Sequence, residues 1–260
     1  VFVEVEPDSF NIDLVDLKDK ISEKPVAIVP VHLYGQCAKM EELMAIAKAH
    51  DLKVFEDTAQ AIGADYTFST GEKVKAGTIG HAGATSFFPS KNLGAYGDGG
   101  AIMTNDDELA AKLRMIVNHG QSKRYYHDSI GVNSRLDSLQ AAILKVKLKY
   151  LDQYNKARYQ VAKRYSEAFS KTSWITPPKE SDFSSHVYHQ YTVKLADGIN
   201  RQELIDHLTN AGVSSMIYYP VPNHLQKAYA YYGYKEGDLP ITEDLCSRVI
   251  SFPIHTEMDE

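Results

Sequence analysis

With 260 residues, 43% hydrophobic and 24% charged, the chain has an ordinary globular composition and the length for one large domain with a smaller lobe. A formal net charge of −6 argues against a nucleic-acid protein, because the one basic pair near aromatics, Lys123 and Arg124 beside Tyr125 and Tyr126, is too little for a groove. Two distant cysteines, Cys37 and Cys246, argue against a disulfide framework or a cysteine zinc site and predict a cytoplasmic protein, and no apolar run approaches the ~18 residues of a membrane span.

The chain opens on "VFVEVEP", which reads as a strand with no lead-in, and closes on "HTEMDE", where a new helix is expected to begin. Both ends predict the interior of a longer protein. "VAIVPVH" (26–32) is a nearly continuous apolar run, as in a strand covered on both faces. "MEELMAIAKAHD" (40–51) carries Leu43, Met44, Ile46 and Ala47 as a helical stripe, and "LKVFEDTA" (52–59) is again a strand, ending in acid. This β-α-β succession predicts a parallel sheet. "GATSFF" and "GGAIMTN" read as strands flanking a loop that contains Lys91, and "DDELAAKLRMIVNHG" as a helix with an acidic start and Gly120 as its stop.

From Leu136 to about Phe169 the sequence predicts one long helix, with Leu139, Ile143, Val146, Leu148 and Leu151 on a broad apolar face. Such a helix often joins two lobes. After "SWITPPK" come a strand, "HVYHQYTVKL", a helix, "NRQELIDHLTNAG", and a strand, "SSMIYYP". The predicted architecture is α/β: a mostly parallel large domain over 1–150, incomplete at its N-terminus, and a small α+β domain over 151–260, truncated at its C-terminus.

The candidate chemistry is weak residue by residue. Asp57 stands where "KVFED" runs out, and ligands bind outside the carboxyl ends of strands in open α/β sheets; a turn-capping aspartate looks the same. "GAYGDGGAI" fits neither G-x-G-x-x-G nor a Walker loop, and Lys91 precedes the glycines. A lysine nucleophile needs a depressed pKa, which the apolar neighbours Phe87, Phe88 and Leu93 would favour by burying it. His186 and His189, three apart in a predicted strand, point to opposite faces and share no metal; no metal site is predicted. Together the residues say more. An acid at a strand end, then a serine-bearing strand, then a lysine before glycines is the order that holds pyridoxal phosphate: the lysine forms a Schiff base, the acid keeps the pyridine nitrogen protonated, and a hydroxyl and glycine amides serve the phosphate.

Five motifs, "VHLYGQCAKMEEL", "EDTAQAIGA", "SFFPSKNLGAYGDGGAI", "NHGQSKRYYHDSIGVNSRLDSLQAAIL" and "YYPVPNHLQKAY", occur in order over nearly the whole chain. In them the sequence resembles the DegT/DnrJ/EryC1/StrS sugar aminotransferases, fold-type I pyridoxal-phosphate enzymes. The resemblance implies Lys91 as the cofactor-bearing lysine and proton shuttle, Asp57 as partner of the pyridine nitrogen, Gln60 as a contact of the ring 3′-oxygen and Ser86 as a phosphate ligand. It implies that Asn133 reaches the neighbouring subunit's cofactor in a homodimer, and it offers Arg135, Tyr219 and His224 as substrate contacts. Two departures stand out: the upstream quarter of the family's chain, with a phosphate-binding turn and an aromatic that stacks on the ring, is absent, and Asn223 replaces a common leucine. A histidine-bearing branch of the family dehydrates, so Lys91 favours transamination.

The implied activity is transfer of an amino group from an amino acid, glutamate first, to a UDP-linked 3-keto-N-acetylglucosaminuronic acid on the way to surface polysaccharide. The alternatives are a TDP-linked 3-keto or 4-keto deoxysugar, a lyase or dehydratase on the same fold, and a non-catalytic binding or regulatory relative.

Overall fold

Val54 and Glu56 are buried while Lys53 and Phe55 are not, the alternation expected of a strand that packs one face on a helix. In the computed structural model, which describes residues 1–258, this strand is β2 (Lys53–Asp57), the centre of a four-stranded sheet in the order β1-β2-β5-β6. β1 (Ala27–Ile28) and β5 (Ala82–Ser86) run parallel to it, and β6 (Gly100–Met103) returns antiparallel to β5. Leu43, Ile46 and Ala47 of α2 (Met40–Ala49) bury against Val54, joined by Leu14 and Leu17 of α1 (Leu14–Lys20), a short helix that the sequence reading missed. Also missed was the hairpin of β3 (Asp65–Thr67) and β4 (Lys73–Lys75).

The predicted strand over 26–32 is shorter and less covered than expected. Only Ala27 and Ile28 pair with β2 in a ladder, Val31 makes a single bridge to Asp57, and Val26 and Val29 are 78% and 60% exposed. Among the described residues β1 is an edge strand with β2 as its neighbour. "VFVEVEP" is likewise not a strand: a lone bridge joins Val5 to Ile12, and the Glu4 carboxylate instead accepts the N–H groups of Ile241 and Thr242 at 2.8 and 2.9 Å. Glu4 thereby caps α7 (Pro240–Arg248), where an acid complements the helix dipole. Phe10 and Tyr34 pack with Leu245 and Val249 behind this junction.

α3 (Asp107–Val117) has the predicted acidic start, with Asp106 as its N-cap, and is followed by a small hairpin, β7 (Gln121–Lys123) with β8 (Tyr126–His127). The predicted long helix is α4 (Ser138–Lys147) and α5 (Leu151–Phe169), separated by a 3-10 turn at Leu148–Tyr150. Its apolar face is mostly uncovered: Leu151 is buried, but Leu139, Val146 and Leu148 are exposed. Leu144 and Leu151 pack on Phe87 and Leu93 of the Lys91 loop, whereas Ala162 belongs to a second core with Tyr191, Val193, Ile250 and Phe252. That core covers an antiparallel sheet of β9 (Ile175–Thr176), β10 (Tyr191–Leu195) and β11 (Val249–Phe252), with α6 (Arg201–Asn210) beside it. The predicted strand "SSMIYYP" is reduced to a bridge between Met216 and Ser251. At the C-terminus, Thr256 and Glu257 form a turn, and the rest of the predicted helix start, at residues 259 and 260, lies outside the described residues.

Candidate functional site

The Lys91 loop is built by its own packing. Phe87 and Leu93 bury beneath it, Lys91 N donates to Phe88 O at 2.8 Å, and Ala95 N donates to Phe87 O at 2.8 Å, closing a tight turn. A Cβ on Gly94 would stand 2.3 Å from Pro89 O, and one on Gly100 2.7 Å from Thr85 O. These glycines let backbone meet backbone, so the loop's own closure, ahead of any ligand, accounts for them. Lys147 reaches over from α4 to donate to Gly94 O. The turn leaves Lys91 half-buried; burial lowers its pKa, and the nearby Asp57 carboxylate partly offsets this.

Asp57 sits at the end of β2, where its backbone pairs with Pro30 O and His32 N. One carboxylate oxygen accepts Ala59 N at 3.0 Å, so the turn-capping role is real and occupies only part of the group. Gln60 follows on the turn: its Oε1 accepts Tyr34 N at 2.6 Å and its Nε2 donates to the Tyr219 hydroxyl at 3.0 Å. Tyr34 in turn donates to Tyr218 O. Burial raises the Tyr219 pKa. Asp57, Gln60, Lys91, Tyr219 and His224 all line one cleft of about 980 Å³.

His224 is fully buried, with Nε2 2.9 Å from Glu243 Oε1 and no partner for Nδ1 among the described residues. Backbone N–H groups of Gly237 and Leu239, together with His224, hold the Glu243 pKa down.

Not every predicted residue joins this group. Ser86 ends β5 outside the cleft, with its hydroxyl accepting Phe88 N at 3.2 Å. Asn133 and Arg135 are exposed on a separate loop, paired with each other at 3.0 Å, and Asn133 bridges to Asn118. The strand expected to separate His186 from His189 begins only at Tyr191, so alternation does not place them. Both are buried instead: His186 stacks on Tyr188 at 3.8 Å and 4°, and burial draws its pKa down to about 3. Among the described residues no cluster of His, Cys, Asp and Glu has the makings of a metal site, and no helix is long and apolar enough to cross a membrane.

Two features of the site were not read from the sequence. Tyr34 shapes the cleft wall through Gln60, and a second cavity opens on Lys91 from the side of Arg158 and His189. The residues fit pyridoxal phosphate in their essentials: a half-buried amine and a carboxylate face one cleft roomy enough for a cofactor and a sugar.

The profile of the DegT/DnrJ/EryC1/StrS aminotransferase family matches residues 1–260. A "pleiotropic regulatory protein" of Geobacillus stearothermophilus is 48% identical over 100% of this chain and 68% of its own length. The UDP-2-acetamido-2-deoxy-3-oxo-D-glucuronate aminotransferase of Pseudomonas aeruginosa is 41% identical over 100% of this chain and 69% of its own. Among solved structures, S. venezuelae DesV in complex with a ketimine intermediate superposes with a TM-score of 0.93 at 39% identity, covering 100% of this chain and 68% of that one.

Proposed function

The chain belongs to the DegT/DnrJ/EryC1/StrS aminotransferase family, and from that premise we propose that it carries a pyridoxal-phosphate transaminase site that moves an amino group from glutamate to a 3-keto nucleotide sugar. One observation carries the reading: the Lys91 amine, lowered in pKa by burial, faces a cleft into which the Asp57 carboxylate also opens. A lysine in that state yields a larger fraction of free amine near neutral pH than a solvated one.

The cofactor, when bound, supplies an electron sink for the substrate carbanion. The chain's own residues do the rest. Lys91 holds the cofactor and later moves a proton at the substrate carbon, and Asp57 holds a proton on the ring nitrogen. Gln60, anchored by Tyr34 N and Tyr219, would help hold the ring. Tyr219 and His224, which line the cleft, would contact the sugar nucleotide, with Glu243 fixing the imidazole.

For the acceptor, we take UDP-linked 3-keto-N-acetylglucosaminuronic acid first, following the motif run around "GVNSRLD". Relatives named for UDP and for dTDP sugars are 41% and 44% identical, respectively, so a TDP-linked 3-keto deoxysugar is the second acceptor to assay. The exposed position of Asn133 and Arg135, away from this chain's cleft, supports a homodimer in which they complete the neighbouring site. A regulatory, non-catalytic protein is the other reading, favoured by the name of the 48% identical relative.

Absorbance spectra with pyridoxal phosphate, before and after glutamate, beside Lys91→Ala, decide between them. A cofactor band that depends on Lys91 and shifts with glutamate supports the transaminase. The same spectrum in the variant favours the regulatory protein.

A further inference from the structure

The chain just after Lys91 is rich in glycine, with Gly94, Gly97, Gly99 and Gly100. Glycines leave a backbone many conformations. Two backbone bonds close the turn itself, from Lys91 N to Phe88 O and from Ala95 N to Phe87 O. The segment that follows is held from outside, by one helix.

Gln140, Leu144 and Lys147 are four and three residues apart on α4, so they share one face of it. All three meet this segment. Gln140 Oε1 accepts Tyr96 N at 2.8 Å, and its amide lies against Gly97, where a Cβ would stand 3.0 Å from Nε2. Leu144 is buried with Phe87, Leu93 and Ala95. Lys147 Nζ donates to Gly94 O and stands 5.8 Å from the centre of the Tyr96 ring, within the range of a cation–π contact.

A lysine in the last turn of a helix has a simpler use, beside that helix's own final carbonyls. Here the ammonium crosses to another segment and is held there twice, by a carbonyl and by an aromatic face. Fixing a lysine side chain costs rotamer freedom, which a charge-assisted bond offsets. Tyr96 is 78% exposed, so burial does not account for where its ring lies.

Gly94 is three residues from Lys91, and the turn between them decides how deep the lysine sits. Burial is the larger influence on the Lys91 pKa and lowers it. An open turn would return the amine to water and raise its pKa toward that of a solvated lysine.

We propose that Lys147, seconded by Gln140, is a positioning residue for Lys91: from α4 it pins the Gly94 carbonyl and keeps the turn shut, so that the Lys91 amine stays half-buried. It touches no reacting atom and acts through the loop. The inference rests on the transaminase reading above and adds to it the residues that hold the amine in place.

Three variants of the cofactor-free 260-residue chain test it: Lys147→Met, Lys147→Arg and Gln140→Met. Lys145→Met is the control, since Lys145 is exposed on the same helix. Two quantities are read, the pH midpoint of trace acetylation at Lys91 by peptide mass spectrometry and hydrogen exchange of Ala95 N–H by NMR. In Lys147→Met the midpoint should rise and Ala95 N–H should exchange about tenfold faster, the effect of losing a bond to a charged donor. Lys147→Arg keeps a charged donor and should restore both. Gln140→Met should move both in the same direction by less. It alters no charge, so its agreement with Lys147→Met excludes relief of lysine–lysine repulsion as the cause, and it decides the matter if Lys147→Met does not fold. Lys145→Met should move neither quantity.

A lowered thermal midpoint with Lys91 and Ala95 unchanged would make Lys147 a structural residue and overturn the proposal. A Lys91 midpoint that moves in Lys147→Met while Ala95 exchange stays put overturns it too, because charge would then act without the clamp. Cofactor loading at Lys91 is scored separately by absorbance. Both quantities shifting in a protein that never loads cofactor leaves the clamp standing and sinks the transaminase reading. Loading with both quantities unmoved sinks the clamp alone.

Discussion

His32 Nε2 lies 2.9 Å from Glu56 Oε2 with both side chains fully out of solvent, one residue before Asp57. Glu56 also accepts the N–H groups of Gly77, Ile79 and Gly80 at 2.8, 2.7 and 2.6 Å, and His32 Nδ1 accepts Ala38 N at 3.1 Å. The carboxylate thus ties β2 to the segment that leads into β5, and the imidazole ties it to the segment entering α2. Asp57 is held by a strand whose last inward side chain is fully bonded.

This arrangement makes stability depend on acid. Burial alone would raise the Glu56 pKa, but the His32 bond and the Gly80 and Gly77 amides outweigh it and hold it below the ordinary carboxylate value. A carboxyl depressed in the fold contributes stability in full above its unfolded pKa and loses it as pH falls through the folded one. Glu56→Gln is therefore expected to cost about 3–5 kcal/mol at pH 7, the range for breaking a buried pair, and progressively less below pH ~4.5. Urea midpoints of both proteins at pH 7 and pH 3.5 measure this. A gap that stays constant with pH would show that the carboxylate's charge is not what matters.

The sequence made some of this legible and hid the rest for physical reasons. β2, α2, α3 and the Lys91 loop were readable because their signals are local: an apolar run ending in acid, a helical stripe, an acidic helix start, a lysine between apolar runs. Strand predictions at "VFVEVEP" and "SSMIYYP" failed because alternation reports a preference and a ladder needs a partner; Glu4 found α7, 237 residues away, instead. Leu139 and Val146 were read as part of a broad apolar face, and periodicity shows that a face is apolar without showing what covers it. The second cavity left no mark at all, since Arg158, Gln190 and Ser215 come from separate elements and only the fold brings them together.

Asp57 raises the Lys91 pKa against the pull of burial. Asp57→Asn keeps the oxygen that accepts Ala59 N and removes the charge, so the turn should survive while the Lys91 pKa drops further. The pH dependence of Lys91 acetylation in the cofactor-free chain, followed by peptide mass spectrometry, reports this directly. A midpoint that moves down in the variant is the expected result. A midpoint that stays or rises would mean that the two groups do not share a field.

Gly94 tests how firmly the loop positions that amine. With its Cβ position 2.3 Å from Pro89 O, Gly94→Ala cannot be accommodated by a side-chain rotation, because the obstacle is backbone. The turn from Phe88 to Ala95 must open, at a cost of about 1–3 kcal/mol. Thermal unfolding should show the loss, and cofactor loading should fall with it because Lys91 hangs on that turn. Wild-type stability and loading in Gly94→Ala would show that the loop yields easily.

The uncovered face of the long helix bears on the proposed homodimer. Leu139 and Val146 are 68% and 60% exposed on α4, close in sequence to the loop that carries Asn133 and Arg135. Apolar side chains this exposed contribute little to the folded monomer, but covering them stabilises an association by roughly 25 cal/mol per Å² of apolar surface. The double variant Leu139→Asp, Val146→Asp should therefore keep the monomer's unfolding midpoint while abolishing the dimer, since two charges would be buried without partners in the interface. Light scattering after size exclusion gives the mass, and absorbance gives cofactor loading. If Asn133 acts across the interface, loading should weaken in step with dissociation, and Asn133→Ala should weaken it with the dimer intact. A variant that becomes monomeric and still loads cofactor fully would confine the site to one chain and return Asn133 to an ordinary loop.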